Sequence, residues 1–320
     1  MITRRLFNSR LLAASTGAAF ALWLSGCGQP KARYSVTEGG DLFDMTSRAL
    51  GQPISISLNE PDETRRTRLF DGAMARLDEL GAIFNPDIEM SQISRLNANG
   101  EIEAPSNFLL SLNQFAREMK IMTNDTFNIA DAPLKQLYAK TPRPDPDELS
   151  AALALGKGHA IGTADRLRMS RAGTQINFKD CLSGFTADIL AAQLAGADVI
   201  NALITVGRAH YAIGTRPDGT PWSINVGASA LPLDNAALAT SAPHQGTLID
   251  PRAGALPALH QSVAVIATQT VMADTLATAF SLMPISEIMT RQKAILGGGL
   301  TQKLDVYVTN LSGQFIALRG

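Results

Sequence analysis

The sequence predicts an α+β protein in which mixed or antiparallel sheets pack against helices. Residues 53–58 alternate between apolar and polar side chains, which is the period of a half-buried strand. Residues 62–84 carry apolar side chains on one helical face, which is typical of an amphipathic helix. Along the rest of the chain such segments follow one another without the regular β-α alternation that builds a parallel sheet.

The elements can be assigned in order from the same two periods and from Gly- and Pro-rich turns. The chain has 320 residues, of which 45% are hydrophobic, so one large core is possible. Further helices are predicted at 106–122 with Ser106 as N-cap, at 147–156, at 181–196 and, as one or two helices, between 271 and 296. Further strands are predicted as two or three pieces of 158–178 and at 202–207, 211–214, 248–254, 261–267, 304–308 and 315–318.

The N-terminus has the pattern of a bacterial export signal. Thr-Arg-Arg-Leu-Phe at 3–7 is a twin-arginine pattern, and a mildly apolar stretch at 11–24 follows it. Leu-Ser-Gly-Cys at 24–27 is a lipobox, so we expect Cys27 to become the lipidated N-terminus; an ordinary secretory peptide is the alternative. This predicts a twin-arginine lipoprotein signal at 1–27, a tether at 28–47 and a domain at 48–320. The protein would then be lipid-anchored on the periplasmic side of a membrane.

The charge and the cysteine content argue against nucleic-acid binding and against an intrachain disulfide. The formal net charge is −1, which gives no support to nucleic-acid binding. The two cysteines are Cys27 and Cys181, and the first belongs to the export signal. We therefore expect no intrachain disulfide in the mature protein, and Cys181 is expected to be buried rather than reactive.

One segment near the C-terminus carries the spacing of a metal site. Asp274 and Thr278 are four positions apart, so on a helix both side chains point to one side. A carboxylate and a hydroxyl after a buried strand suit a hard cation. From the spacing alone, a helix N-cap or first-turn role for Asp274 is favoured. Asp180 and Asp250 also stand beside turns, whereas phosphate loops of the Walker or Rossmann kind and zinc-ligand spacings are missing from the sequence.

Eight short segments extend the interpretation when they are taken in chain order. They are Ala-Leu-Gly-Gln at 49–52, Ser-Gln-Ile-Ser-Arg-Leu-Asn at 91–97, Thr-Phe-Asn at 126–128 with Pro-Leu at 133–134, Gly-Phe-Thr-Ala-Asp at 184–188, Asp-Gly-Thr-Pro-Trp at 218–222, Ala-Thr-Ser at 239–241, Ile-Asp-Pro-Arg-Ala-Gly at 249–254 and Ala-Asp-Thr-Leu-Ala-Thr at 273–278. In this order they resemble the ApbE-like family of flavin transferases (FAD:protein FMN transferases) over nearly the whole mature chain.

The resemblance implies an ApbE-like fold with FAD in a cleft and Mg²⁺ on its diphosphate. A Thr or Ser hydroxyl of a periplasmic electron-transfer protein would attack the FMN phosphorus, and AMP would leave. The metal ligands implied are Asp274, Thr278, the Ala277 carbonyl and an oxygen near Asp180. The flavin contacts implied are Leu50, Thr126, Phe127, Asn128, Asn177, Ser183 and Leu248.

The chain departs from the family pattern at several of these positions. Thr247 stands where the family has a histidine thought to serve as base, and His244 lies three residues upstream. The family's Gly-Gly-Asp turn is Gly-Arg-Ala at 207–209. Ser183 replaces a lysine, Asn128 replaces an aspartate, and Asp180 replaces a small or hydroxyl residue. Three hypotheses therefore remain: a flavin transferase, a catalytically impaired FAD-binding lipoprotein that carries or inserts flavin, and a structural lipoprotein without flavin.

Overall fold

The computed structural model describes residues 33–242 and 248–320. The signal and lipidation site predicted at 1–27 lie outside the described residues. The described helices are α1 (Glu63–Phe84), α2 (Gln92–Asn99), α3 (Asn107–Met122), α4 (Ala132–Lys140), α5 (Pro146–Leu155), α6 (Lys179–Ala195), α7 (Thr270–Phe280) and α8 (Ile285–Gly297). None of these helices is both long and apolar enough to cross a membrane.

Strands form one large antiparallel sheet and two small ones. The described strands are β1 (Ser35–Gly39), β2 (Leu42–Ala49), β3 (Gln52–Leu58), β4 (Glu101–Glu103), β5 (Ala160–Gly162), β6 (Arg166–Met169), β7 (Ala202–Val206), β8 (Ala209–Ile213), β9 (Trp222–Val226), β10 (Ser229–Leu233), β11 (Ala236–Ser241), β12 (His260–Ala267), β13 (Leu304–Asn310) and β14 (Phe315–Leu318). The nine-stranded sheet has the order β1-β2-β3-β7-β8-β11-β12-β13-β14. Its neighbouring strands are all antiparallel, and β9–β10 and β4–β6–β5 form the smaller sheets. The predicted α+β class is confirmed.

The interior strand β12 is buried on both faces from Val263 to Ala267, which explains its uninterrupted apolar run there. Val263 and Val265 join the main core, where α7 also packs. Ala264 and Ile266 point the other way and join a second cluster under the β9–β10 hairpin. Because successive side chains of a strand point to opposite faces, a strand covered on both sides must be apolar throughout.

Side-chain caps define the N-termini of helices α2 and α3. The Ser106 hydroxyl accepts a hydrogen bond from the Leu109 N–H at 3.2 Å, so the predicted N-cap is confirmed. Ser91 caps α2 in the same way through the Ser94 N–H, also at 3.2 Å. Such caps satisfy N–H groups that have no partner within the helix.

Two expectations are corrected by the structure. The tether predicted over 28–47 is wrong for its described C-terminal part, because β1 and β2 pair as a hairpin from Ser35 to Thr46. The side chains of β1 are all exposed, so the strand has no apolar period and is held by backbone pairing, while Met45 of β2 is fully buried. The strand predicted at 248–254 is a turn closed by a single bridge between Asp250 and Ala255.

Candidate functional site

Helix α7 is buried except for two polar side chains that are partly exposed. Asp274 and Thr278 are the partly exposed residues of α7, and its other residues are buried. Their spacing of four places them on one face. α7 begins three residues after the buried strand β12, and core packing fixes which way this face points. The pair predicted from the sequence is therefore presented together at the edge of the core.

The Asp274 carboxylate is held by the backbone of α6. Its Oδ2 accepts a hydrogen bond from the Gly184 N–H at 2.9 Å. Burial raises the pKa of Asp274 to about 7. The Gly184 hydrogen bond and the Arg208 charge oppose this rise in pKa, whereas the nearby Asp180 and Asp188 charges add to it. A carboxyl in this setting is readily stabilised by a cation.

Gly184 allows α6 and α7 to approach each other closely. A Cβ atom at this position would lie 2.4 Å from the Thr270 carbonyl oxygen and 2.8 Å from the Asp274 Cβ. Both distances are shorter than van der Waals contact, so a side chain would push the helices apart. The glycine thus sets the distance between the N-terminal half of α6 and the Asp274 face.

Asp188, rather than Asp274, binds the N-terminus of α7. Its two carboxylate oxygens accept hydrogen bonds from the Thr270 N–H at 2.7 Å and the Val271 N–H at 2.8 Å. Burial raises the pKa of Asp188 to about 6, although these hydrogen bonds act in the opposite direction. The N-cap role favoured for Asp274 from spacing alone is therefore wrong, because α7 begins at Thr270, one turn earlier.

Asp180, at the start of α6, belongs to a charged network. The Lys135 ammonium lies 2.5 Å from an Asp180 oxygen and 2.8 Å from an Asp131 oxygen. The Asn177 amide donates to Asp131 at 2.9 Å. Burial lowers the pKa of Lys135, but the two carboxylates outweigh it and raise that pKa overall. Asp180, predicted as a metal ligand, is thus already bound to a lysine.

The Ala277 carbonyl is the least available of the predicted metal ligands. It accepts hydrogen bonds from the Ser281 N–H at 3.2 Å and from the Ser281 hydroxyl at 2.8 Å. A carbonyl oxygen has two lone pairs, so metal binding would displace the hydroxyl.

The remaining donors suit a hydrated hard cation. Over residues 33–242 and 248–320, there is no cluster of three or more His, Cys, Asp or Glu side chains placed to hold a metal ion. Mg²⁺ usually keeps several waters and needs only one or two carboxylates in addition to substrate phosphates. Asp274 and Thr278 supply one carboxylate and one hydroxyl on a partly exposed face, so these residues fit Mg²⁺ on a diphosphate.

The segment predicted to line the flavin is a rigid part of the core. The Thr126 hydroxyl donates to the Thr123 carbonyl at 2.6 Å, and the Asn128 amide donates to the Gly156 carbonyl at 2.8 Å. Phe127 is buried in the main core. The Asn177 N–H donates to the Ile129 carbonyl at 2.8 Å, which joins this segment to the charged network.

The other predicted flavin contacts lie in different surroundings. Ser183 is partly buried one residue before Gly184, and a Cβ built on Gly207 would be 3.6 Å from its hydroxyl. Leu50 adopts a left-handed backbone with φ of 54° and packs against the main core. Leu248 is partly exposed at the edge of the described chain. His244 and Thr247 lie outside the described residues.

Three charged residues of this region were missed by sequence reasoning. Asp188 belongs to the Gly-Phe-Thr-Ala-Asp segment, but an acid 82 positions before a helix cannot be recognised as its cap without the fold. No sequence pattern singles out Lys135. Arg208 was noted as a departure in a turn, and the structure brings its charge within reach of Asp274. Cys181, as expected, is fully buried, and its thiol lies 3.4 Å from the Phe178 carbonyl.

Comparisons with known proteins show to which family the sequence is similar. A sequence model of the ApbE family matches residues 50–297. Comparison with curated protein sequences found no match.

Three solved structures show a similar fold. A histidine-to-glycine variant of the flavin transferase ApbE from Vibrio cholerae has a TM-score of 0.74 and 21% identity, covering 88% of this chain and 97% of that one. The apo form of the flavinyl transferase ApbE from Pseudomonas stutzeri also has a TM-score of 0.74 and 21% identity, with coverages of 90% and 96%. The ApbE protein of Thermotoga maritima has a TM-score of 0.73 and 19% identity, with coverages of 86% and 96%. The TM-scores and coverages establish the fold, and the family match covers most of the sequence. The chain belongs to the ApbE family.

Proposed function

We propose that this protein is a Mg²⁺-dependent FAD:protein FMN transferase. The observation that carries the proposal is the face of α7, where Asp274 and Thr278 alone emerge from a buried helix beside the start of α6. Family membership and similarity to proteins named flavin transferases support the same reaction. The acceptor would be a Thr or Ser hydroxyl of a periplasmic electron-transfer protein.

The proposed reaction is a phosphoryl-type transfer that balances without a further reactant. The acceptor hydroxyl oxygen forms a bond to the FMN phosphorus, and the bond from that phosphorus to the bridging oxygen breaks. AMP leaves with this oxygen and its electron pair, and the hydroxyl proton passes to a base or to water. Bound Mg²⁺ would neutralise charge on the diphosphate, which is the main requirement of such transfers.

The residues of this chain would hold and orient these groups. Asp274 and Thr278 would bind the Mg²⁺, and the Gly184 N–H keeps the Asp274 carboxylate in one orientation. The paired Asp180 and Lys135 would form the adjoining polar wall. The buried 126–128 segment would provide a fixed boundary on the flavin side.

Mg²⁺ affinity should depend on pH near neutrality. Burial raises the pKa of Asp274 to about 7, so protons compete with Mg²⁺ for this carboxylate. Above that pKa the carboxylate is free to bind, and below it we expect affinity to fall by about tenfold per pH unit. Calorimetric titration of the metal-free protein with Mg²⁺ at several pH values measures this. A Mg²⁺ affinity that stays constant on both sides of neutrality would contradict the assignment.

The identity of the base leads to a gain-of-function prediction. Thr247 occupies the family's histidine position, and a threonine hydroxyl cannot accept a proton at neutral pH. We expect Thr247→His to raise the transfer rate by roughly 100-fold, since general-base help is typically worth at least that much. Single-turnover transfer from FAD to an acceptor domain measures the rate. If His244 already serves as base, Thr247→His will change little and His244→Ala will remove activity.

The second candidate function is a flavin carrier or assembly factor that binds FAD without efficient transfer. The replacement of the family histidine by Thr247 and the engaged Ala277 carbonyl favour it. Incubating the protein with FAD, Mg²⁺ and an acceptor domain distinguishes the two functions. Covalent in-gel fluorescence on the acceptor supports the transferase, whereas bound FAD with an unlabelled acceptor supports the carrier. If equilibrium dialysis shows that the protein takes up no FAD, the structural lipoprotein without flavin is the remaining hypothesis.

The proposed location rests on the sequence of the first 27 residues. A lipid on Cys27 after twin-arginine export would anchor the protein on the periplasmic side of a bacterial membrane. Fractionation should find it with membranes, and a Cys27→Ser variant should be released from them.

A further inference from the structure

Arg208 lies in a tight turn beside the proposed diphosphate site. The turn joins β7 to β8, and Gly207 enters it with φ of 59°. A Cβ on Gly207 would lie 2.6 Å from the Gln52 side-chain oxygen and 3.6 Å from the Ser183 hydroxyl, so the turn packs against the N-terminal part of α6. The Arg208 carbonyl accepts from the Thr240 N–H at 3.1 Å, which fixes the backbone of the turn. The turn that carries Arg208 is therefore held against the N-terminal part of α6 by the fold.

The Arg208 guanidinium has no protein partner in the described part of the chain. The residue is exposed, and its side chain makes neither a hydrogen bond nor an ion pair with residues 33–242 or 248–320. Arg252, by contrast, is paired with Asp250 at 2.8 Å and Glu287 at 3.0 Å. Arg208 is nevertheless close enough for its charge to lower the pKa of Asp274 against the larger effect of burial.

The charges around Asp274 create a need for another cation. The Asp180 and Asp188 carboxylates lie close enough to add negative charge at Asp274, and the Lys135 ammonium is already paired with Asp180 and Asp131. A diphosphate brought to Asp274 would meet like charge on this side. A single divalent cation would have to offset both the carboxylate and the diphosphate, whereas a free guanidinium nearby would reduce that repulsion.

We propose that Arg208 binds the diphosphate of FAD next to the Asp274–Thr278 face. The inference rests on the proposed FAD binding and assigns a role to the arginine that stands where the resemblance expects the second glycine of a Gly-Gly-Asp turn. An arginine is suited to the task because its planar guanidinium donates two parallel hydrogen bonds to phosphate oxygens. The turn supplies the position, and the absence of a partner in the described chain leaves all the donors available.

Flavins with and without phosphate provide the test. The Kd values of FAD and of riboflavin, which lacks phosphate, are measured by flavin fluorescence in saturating Mg²⁺. The parent, Arg208→Gln, Arg208→Lys and the control Arg168→Gln are compared; Arg168 is an exposed arginine of β6 in the small three-stranded sheet. We expect Arg208→Gln to weaken FAD binding about tenfold or more, in line with the loss of a charge-assisted hydrogen bond. Riboflavin affinity should not change, and Arg208→Lys should retain part of the FAD affinity.

Each outcome has a distinct meaning. Equal FAD affinity in the parent and Arg208→Gln overturns the inference while leaving the proposed function intact. An equal loss for FAD and riboflavin also overturns it, because the arginine would then act on the flavin ring or on the fold. A parent that binds neither ligand overturns the proposed function and the inference together. Matching thermal unfolding of all four proteins confirms that they are folded.

Discussion

Asp274→Asn should abolish Mg²⁺-dependent flavin transfer while leaving the protein folded. The carboxylate is the one anionic side chain on the partly exposed face of α7, and its replacement removes the charge that would hold the proposed metal. Metal charge stabilisation is worth several kcal/mol, so we expect a loss of at least about 100-fold in rate. An asparagine oxygen can still accept the Gly184 N–H, and this keeps α6 and α7 together.

The same variant should make the metal-free protein more stable at alkaline pH. Because burial raises the pKa of Asp274 to about 7, the folded protein is stabilised by the protonated form and loses that stability as pH rises from about 4 to about 7. The neutral amide removes this loss. Asp218→Asn is the control, since Asp218 is exposed and bonded within its own turn to Thr220. An Asp274→Asn protein with parental transfer activity would show that the metal assignment is wrong.

Gly184→Ala should produce the largest loss of stability among single-methyl substitutions in this region. The new Cβ would lie 2.4 Å from the Thr270 carbonyl oxygen, a backbone atom that cannot move without shifting α7. We expect a loss of about 3 kcal/mol in the free energy of unfolding, at the upper end for overpacking. Denaturant titration measures it, and Mg²⁺ affinity should fall in parallel because Asp274 moves with α7.

Gly81→Ala is a matched control for the glycine substitution. Gly81 also lies within a helix, α1, and a Cβ there would meet nothing within 4 Å. Alanine at an unobstructed helical position is expected to stabilise by roughly 0.5–1 kcal/mol. If both variants changed stability in the same direction, the close approach of α6 and α7 would not be what requires Gly184.

Local patterns were sufficient to predict most of the fold. Helix α3 begins after Ser106 and ends at Met122, as predicted, because a hydroxyl cap and a helical apolar face are both properties of a short segment. The run at 261–267 was recognisable as a buried strand because both of its faces are covered. The hairpin of β1 and β2 was mistaken for a tether because β1 is fully exposed and is held by backbone pairing, which leaves no apolar period.

The site was less predictable because its contacts join distant parts of the chain. Asp188 binds the start of α7 from 82 positions earlier, and Lys135 reaches Asp180 across 45 positions. Neither pairing leaves a local pattern. Asp274 and Thr278 could be singled out because a spacing of four places two side chains on one face of a helix. Only the structure shows that they are partly exposed while the other residues of the helix are buried.

The intact mass of an acceptor domain after incubation with the parent protein, FAD and Mg²⁺ tests the central claim most directly. The proposed function predicts an acceptor that has gained one FMN moiety at a Thr or Ser, with an equal amount of AMP released, and neither product with Asp274→Asn. An acceptor of unchanged mass, in the presence of parent protein that has bound FAD, would contradict the transferase and leave the flavin carrier.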